Sequence, residues 1–190
     1  GDWSGYYSLS ISADGYTVAI GGYLNDGNGT NSGHVRIYQY ETSSSSWKQL
    51  GLDLDGEAEG DQSGSSVSLS SNGSIVAVGA YANDGNGTDS GHVRVYQYKN
   101  SNWIQIGSDI NGEAAGDWSG ISISLSSNGS ILAIGARKNK GNGTDSGHVR
   151  IYKFDGTEWS QLGSDIDGEA EGDMMAYTNG SISLSSDGTI

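Results

Sequence analysis

The chain has 190 residues, with 32 glycines, no proline, no cysteine, one phenylalanine and a formal net charge of −14. That length can bury a core as one or two domains. The acidity excludes a partner whose phosphates need neutralising, so no nucleic acid is expected, and the missing cysteine excludes disulfides and thiol chemistry. No apolar run is long enough for a membrane span, and no stretch has the 3.6-residue apolar period of an amphipathic helix. The chain opens on Gly1 without a methionine, in the middle of a pattern, and reads as a mature product or a window from something longer.

Alignment on Gly-Asp gives unit starts at Gly1, Gly60, Gly116 and Gly172, at spacings of 59, 56 and 56 residues. The units are therefore 1–59, 60–115, 116–171 and a partial 172–190. The first has extra residues near Tyr6 and in "ETSSSSW". In the second, four strands are predicted in order: "SVSLS", "SIVAVGA", "HVRVYQY" and "WIQIGSDI". Asp14-Gly15, Asn72-Gly73, Asn128-Gly129 and Asp187-Gly188 stand where a tight hairpin needs positive φ. Trp47, Trp103 and Trp159 open the fourth strands and Tyr38, Tyr96 and Tyr152 lie in the third, as wedges between neighbouring units. The partial unit replaces the usual "WSG" by "MMAYTNG" and supplies one strand and a turn.

A period in this range means a solenoid, propeller or array whose units bury their faces on each other. The fold class expected is all-β: tandem four-stranded antiparallel blades of about 56 residues, propeller-like. Three full blades fall short of a closed ring. The array is then open or completed by neighbouring chains, and head-to-tail self-association that does not close gives a filament.

The string "SGSSVSLSSNGSIVAVGA…SGHVRVYQY" resembles the FG-GAP repeat, the blade of integrin-α-type propellers. The apolar strand ending in Gly-Ala recurs at Val18–Gly22, Val76–Ala80 and Ile131–Ala136, so the resemblance covers nearly the whole chain. It implies an adhesion or binding propeller. The family's calcium loop between the first two strands is replaced here by "SADGY", "SSNGS" or "SSDGT", too short to wrap an ion with six or more oxygens. That site does not carry over.

Three candidate chemistries remain. Asn28-Gly-Thr30, Asn86-Gly-Thr88 and Asn142-Gly-Thr144 are N-glycosylation sequons repeated in every full unit, so N-linked glycans are expected there. Sequons at Asn72, Asn128 and Asn179 are weaker; at the first two, aspartate replaces asparagine at the equivalents Asp14 and Asp187. The same loop as a calcium site would use Asp84, Asn86, Thr88 and Asp89, but Lys140 stands in the third copy. Between blades, Asp53, Asp55 and Glu57 could share one face of an extended stretch, as could Asp109, Asn111 and Glu113, and Asp165, Asp167 and Glu169. No cofactor is required, and Ca²⁺ bridging successive blades is the metal expectation. The alternative is a solvated connector, with His34, His92 and His148 and Arg36, Arg94 and Arg150 meeting its acids as ion pairs. Trp3, Tyr6, Tyr7 and Trp118 near the inter-blade turns are the candidates for stacking on a ligand.

Nothing reads as a Ser-His-Asp set, and the places where the repeat is broken hold no acid–base pair, so the chain is expected not to be an enzyme. The favoured function is a glycosylated extracellular or cell-surface structural repeat protein of a coat, matrix or fibril. The alternative is an adhesion propeller recognising protein or carbohydrate, with calcium where the connector binds it.

Overall fold

A computed structural model describes residues 1–6 and 8–189. The first sheet contains β1 (Leu9–Ile11), β2 (Thr17–Gly22), β3 (His34–Glu41), β4 (Ser46–Gln49) and β5 (Leu54–Asp55). The second contains β6 (Ser66–Leu69), β7 (Ile75–Ala80), β8 (His92–Lys99), β9 (Asn102–Gln105) and β10 (Ile110–Asn111). The third contains β11 (Ser119–Leu125), β12 (Ile131–Ala136), β13 (His148–Phe154), β14 (Trp159–Gln161) and β15 (Ile166–Asp167). In each, the first four strands form an antiparallel meander in chain order and the fifth pairs back onto the third, and the three sheets stand in tandem as propeller-like blades without closing. No helix long and apolar enough to cross a membrane occurs among the described residues.

The fourth strand differs from its prediction as one run. In each blade it is two pieces, both paired to the third strand: Tyr98 faces Trp103, and Val93 faces Ile110. The break falls at Gly51, Gly107 and Gly163, whose φ values of 79°, 72° and 80° carry the chain out of the pleat. The excursion turns Asp53, Asp109 and Asp165 back onto the third strand.

The hairpin turns form where the Asx-Gly pairs stand. Asn72 Oδ1 accepts the Ser74 amide at 3.0 Å and the Ser70 hydroxyl at 2.9 Å, as Asp14 Oδ1 accepts Tyr16 N at 2.9 Å and Ser12 at 2.6 Å. Only an oxygen is used, which is why asparagine and aspartate interchange. The Gly-Asp signature also has a local cause. Asp61, Asp117 and Asp173 accept the amides of Ala58, Ala114 and Ala170 at 3.0, 3.1 and 2.8 Å, folding the connector between blades.

Blades meet face to face. Ala19, Val35 and Ile37 of the first are buried against Val67, Leu69, Val76 and Val78 of the second, and the pattern repeats one blade on. Each such side chain contributes roughly 1.5–3 kcal/mol on burial. Trp103 and Trp159 act as the expected wedges, donating Nε1 to Leu50 O at 2.7 Å and Ile106 O at 3.1 Å of the preceding blade. No blade precedes Trp47 among the described residues, and it is 47% exposed. A Cβ on Gly79 would lie 2.2 Å from the Gly120 carbonyl oxygen of the next blade, and one on Gly21 would lie 2.0 Å from that of Gly64. The glycine of the repeated Val-Gly-Ala and Ile-Gly-Ala strands is thus fixed by inter-blade contact.

The partial unit takes the seat of a fourth blade's first strand. Leu184 N donates to Ser124 Oγ at 3.0 Å, as Leu125 N does to Ser68 Oγ and Leu69 N to Ser10 Oγ. The strand expected there is not formed among the described residues.

Candidate functional site

The GNGT loops run from β2 to β3, β7 to β8 and β12 to β13, joining the two middle strands at the same end of each sheet. Each asparagine reaches across to the connector that follows its own blade. Asn28 Nδ2 donates to Gly56 O at 2.8 Å and Glu57 O at 3.0 Å. Asn86 does so to Gly112 O at 2.8 Å and Glu113 O at 2.9 Å, and Asn142 to Gly168 O at 2.9 Å and Glu169 O at 2.8 Å. These side chains are exposed, yet the nitrogen that would carry sugar is committed to holding the loop. At Asn72 and Asn128 the turn bonds run through Oδ1 instead. The amide of Asn179 donates to Ser65 O at 3.4 Å. The loop's aspartate also has local work: Asp26 and Asp84 Oδ1 accept the amides of Asn31 and Asp89 at 2.8 Å each, residues held at φ 53° and 52°. Lys140 cannot accept this bond. The Thr30, Thr88 and Thr144 carbonyls accept Gly60, Gly116 and Gly172 N, which requires no threonine side chain.

The acidic connectors are divided rather than gathered. Asp53, Asp109 and Asp165 turn to their own blade's arginine, with Arg94 forking Asp109 at 2.9 and 2.8 Å and Arg150 forking Asp165 at 2.8 and 2.6 Å. Glu57 crosses to Arg94 of the next blade, and Glu113 crosses to Arg150. Asp55, Asn111 and Asp167 pair in register with His34, His92 and His148 at the strand ends. Glu169 is exposed, and no blade follows it among the described residues. Three groupings could hold a cation by proximity: His34, Asp53 and Asp55; Glu57, His92 and Asp109; and Glu113, His148 and Asp165. They do not fit calcium, which takes six to eight oxygens. Each offers one imidazole and two carboxylates, and a guanidinium already bonds Asp53 in the first and both acids in the other two. Arg94 and Arg150 bridge successive blades through these acids.

The electrostatics follow from that bridge. The arginine hydrogen bond lowers the Asp53, Asp109 and Asp165 carboxyls against the opposing effect of burial. For Arg94 and Arg150, burial works against the charge, and the bonds to their two carboxylates outweigh it and raise them. Burial lowers His34, His92 and His148, helped by the neighbouring arginines and opposed by the aspartates. His148 Nδ1 is buried without a hydrogen-bond partner, 3.7 Å from Asp165 Oδ2.

The third region lies where successive repeats bring the residue after Gly-Asp next to the residue after the second strand. Trp3, Gln62, Trp118 and Met174 all have positive φ, from 46° to 58°, one per unit. A left-handed tryptophan costs about 1–2 kcal/mol, and the turn imposes it at every start. Trp118 stacks obliquely on Tyr81 at 5.0 Å. Arg137 lies 4.4 Å from the Trp118 ring and 4.9 Å from Tyr177, and Lys138 Nζ stands 3.4 Å from Trp118. Tyr23, Tyr81, Trp118, Arg137 and Tyr177 line a cavity of ≈ 370 Å³ drawing on all four units, within the usual range for small ligands. Arg137 Nε is buried there without a partner. Of the stacking candidates, Trp118 is in the wall. Trp3 and Tyr6 pair with each other at 4.9 Å beside it, with Tyr23 at 6.3 Å from Trp3, and Tyr7 lies outside the described residues. Sequence reading missed Tyr81, Arg137 and Tyr177. The available signal was that Tyr23-Leu24 and Tyr81-Ala82 become Arg137-Lys138 at one repeat position.

Residues 53–96 match the FG-GAP repeat, so the chain carries a repeat of that type over a stretch shorter than half its length. Comparison with curated protein sequences gives no match. Among solved structures, a candidate 6-phosphogluconolactonase from Bacteroides uniformis superposes with a TM-score of 0.57 at 15% identity, over 84% of this chain and 40% of that one. A second, from Bacteroides fragilis, gives 0.56 at 14% identity over 86% and 38%. This chain spans less than half the length of either, and at such identity the likeness is one of fold.

Proposed function

We propose that the chain is a non-catalytic binding module of propeller type, acting outside the cell or at its surface, with its ligand site in the cavity at Trp118. One observation carries this reading. The cavity is where equivalent positions of the repeats hold different side chains, and there Arg137 stands among four aromatic rings, Tyr23, Tyr81, Trp118 and Tyr177, in a protein of net charge −14. Aromatic faces take the apolar side of a sugar ring or a side chain, and Arg137 with Lys138 favours a ligand bearing an anionic group. The match to the FG-GAP repeat supports binding rather than catalysis, and the gluconolactonase-named neighbours share only the fold. N-linked sugar, if carried, belongs at Asn72 and Asn128 before the GNGT loops, whose amides are engaged.

The test is a printed array of glycans and peptides probed with the wild type, Trp118→Ala and Trp47→Ala. The reading expects signals that Trp118→Ala loses and Trp47→Ala keeps. Identical signals from all three proteins, or none on either print, would sink it.

A further inference from the structure

Three of the four arginines spend the same edge of the guanidinium, Nε with Nη2, on an aspartate, and the fourth does not. Arg94 forks both oxygens of Asp109 at 2.9 and 2.8 Å, and Arg150 forks those of Asp165 at 2.8 and 2.6 Å. Arg36 brings Nε and Nη2 to Asp53 Oδ2 at 3.0 and 2.9 Å. Arg137 is held by other means. Its Nη1 donates to Tyr177 O at 3.1 Å, and its Cζ lies 4.4 Å from the Trp118 ring and 4.9 Å from that of Tyr177. Its Nε is buried without a partner, and among the described residues no carboxylate pairs with it, although the chain has 23 acids to nine lysines and arginines. A buried donor on a charged group is destabilising when its bond is left unmade, so this edge calls for an acceptor.

We propose that the Nε–Nη2 edge of Arg137 takes the carboxylate of an acidic sugar, a hexuronate unit of a glycan. The inference rests on the cavity being the ligand site and names the class of its ligand. The two carboxylate oxygens accept from Nε and Nη2 as those of Asp109 do from Arg94. A planar two-oxygen group matches the fork, and the fork is pre-set, because two rings and the Tyr177 carbonyl hold the guanidinium in place. The rest of the wall favours a sugar over an acidic side chain of a peptide. Tyr23 and Tyr81, which stand where Arg137 does in the first two blades, offer rings to the C–H face of a pyranose. Ser65, Thr178 and Asn179 bring hydroxyl and amide groups to the same cavity. Ser65 Oγ donates to Gly79 O at 3.1 Å and keeps its lone pairs for a sugar hydroxyl. An aspartate or glutamate side chain brings the carboxylate but neither the hydroxyls nor the ring-sized apolar face.

The experiment is a ligand-observed NMR titration of the chain with the methyl glycosides of glucuronate, galacturonate and mannuronate. Each is used as the free acid and as its methyl ester, beside a glutamate peptide. At least one acid is expected to bind, and its ester, which keeps the shape and loses the charge, roughly tenfold or more weakly. This comparison uses wild type alone and does not depend on a variant folding. Arg137→Lys keeps the charge and loses the fork, and is expected to bind that acid roughly tenfold or more weakly. Arg137→Tyr restores the residue of the first two blades and is expected to abolish the preference for acid over ester. Acid and ester bound alike, no acid bound, tighter binding of the glutamate peptide, or an Arg137→Lys titration equal to wild type overturns the proposal. Trp118→Ala tests the cavity separately. Acid and ester bound alike, and both lost in Trp118→Ala, overturn the carboxylate and leave the site standing; an acid still bound in Trp118→Ala sinks the site as well.

Discussion

The GNGT loops and the cavity at Trp118 are made by the same repeats and follow opposite rules. In the loops, Asn28, Asn86 and Asn142 make one pair of bonds three times, with donor–acceptor distances agreeing to within a few tenths of an ångström. At the cavity, the position after the second strand is tyrosine, tyrosine and then arginine, and the arginine lies between two rings. Sameness in the loops has a complete structural cause in loop closure and blade spacing. At the cavity, Arg137 Nη1 donates to Tyr177 O at 3.1 Å while its buried Nε has no partner, so the scaffold accounts for only part of the difference. In a repeat protein, retained residues report the scaffold and departures from the repeat point to the ligand.

The largest effect expected from breaking the scaffold side of this contrast is at Gly79. Alanine there drives a methyl group into the Gly120 carbonyl and Ser66 Oγ, both 2.2 Å from the new Cβ, and backbone must move. Overpacking of this kind costs about 1–3 kcal/mol or more, and here it acts on the junction itself. Urea unfolding of Gly79→Ala is expected to show a lower midpoint with a separated transition for the third blade. A wild-type midpoint would mean that the blades are not in this register.

Much of this scaffold was legible in the sequence. The Gly-Asp period, the Asx-Gly turns and the strand patterns each have a local cause, so residues near in sequence were enough to place the strands. What could not be read were the pairings across a blade or between blades. Glu57 lies 37 positions before Arg94, and an alternation argument placed it with Asp53 and Asp55 because extended backbone was assumed through a connector that the Asp61 bond folds. The split fourth strand was hidden because Gly51 reads equally as a strand glycine or as a left-handed break. The cavity was hidden for a further reason: its wall comes from four units, and no single repeat contains it.

A smaller loss is expected at the loop staple. Asn86→Ala removes the donors to Gly112 O and Glu113 O, at about 1 kcal/mol for each net hydrogen bond. Thermal unfolding should register the loss, while array binding through Trp118 stays as in wild type. Glycopeptide mapping of native material belongs with it: sugar at Asn86 would show the staple open in the native protein. Sugar confined to Asn72 and Asn128 agrees with the bond geometry.

The gentlest perturbation is pH, and its sign follows from the buried histidines. Their folded pKa values lie below the ordinary 6.5, through burial first and the adjacent arginines second. The unfolded chain therefore takes up protons as pH falls through about 6.5, where the folded chain does not. Stability from this source is full above that pH and declines below it, towards the folded values. The carboxyls of Asp53, Asp109 and Asp165 are held below 3.8, so their contribution persists until the pH is lower still. Relief of carboxylate repulsion on acidification works the other way across the whole surface. The informative quantity is thus the difference between wild type and His148→Gln, in which that background cancels. Between about pH 7 and pH 5 the variant's Tm should fall less steeply than wild type's. Parallel curves would mean that His148 carries a proton in the folded chain, drawn by Asp165 and Glu113 despite Arg150, and the bridge between blades two and three would then be held by two cations rather than one.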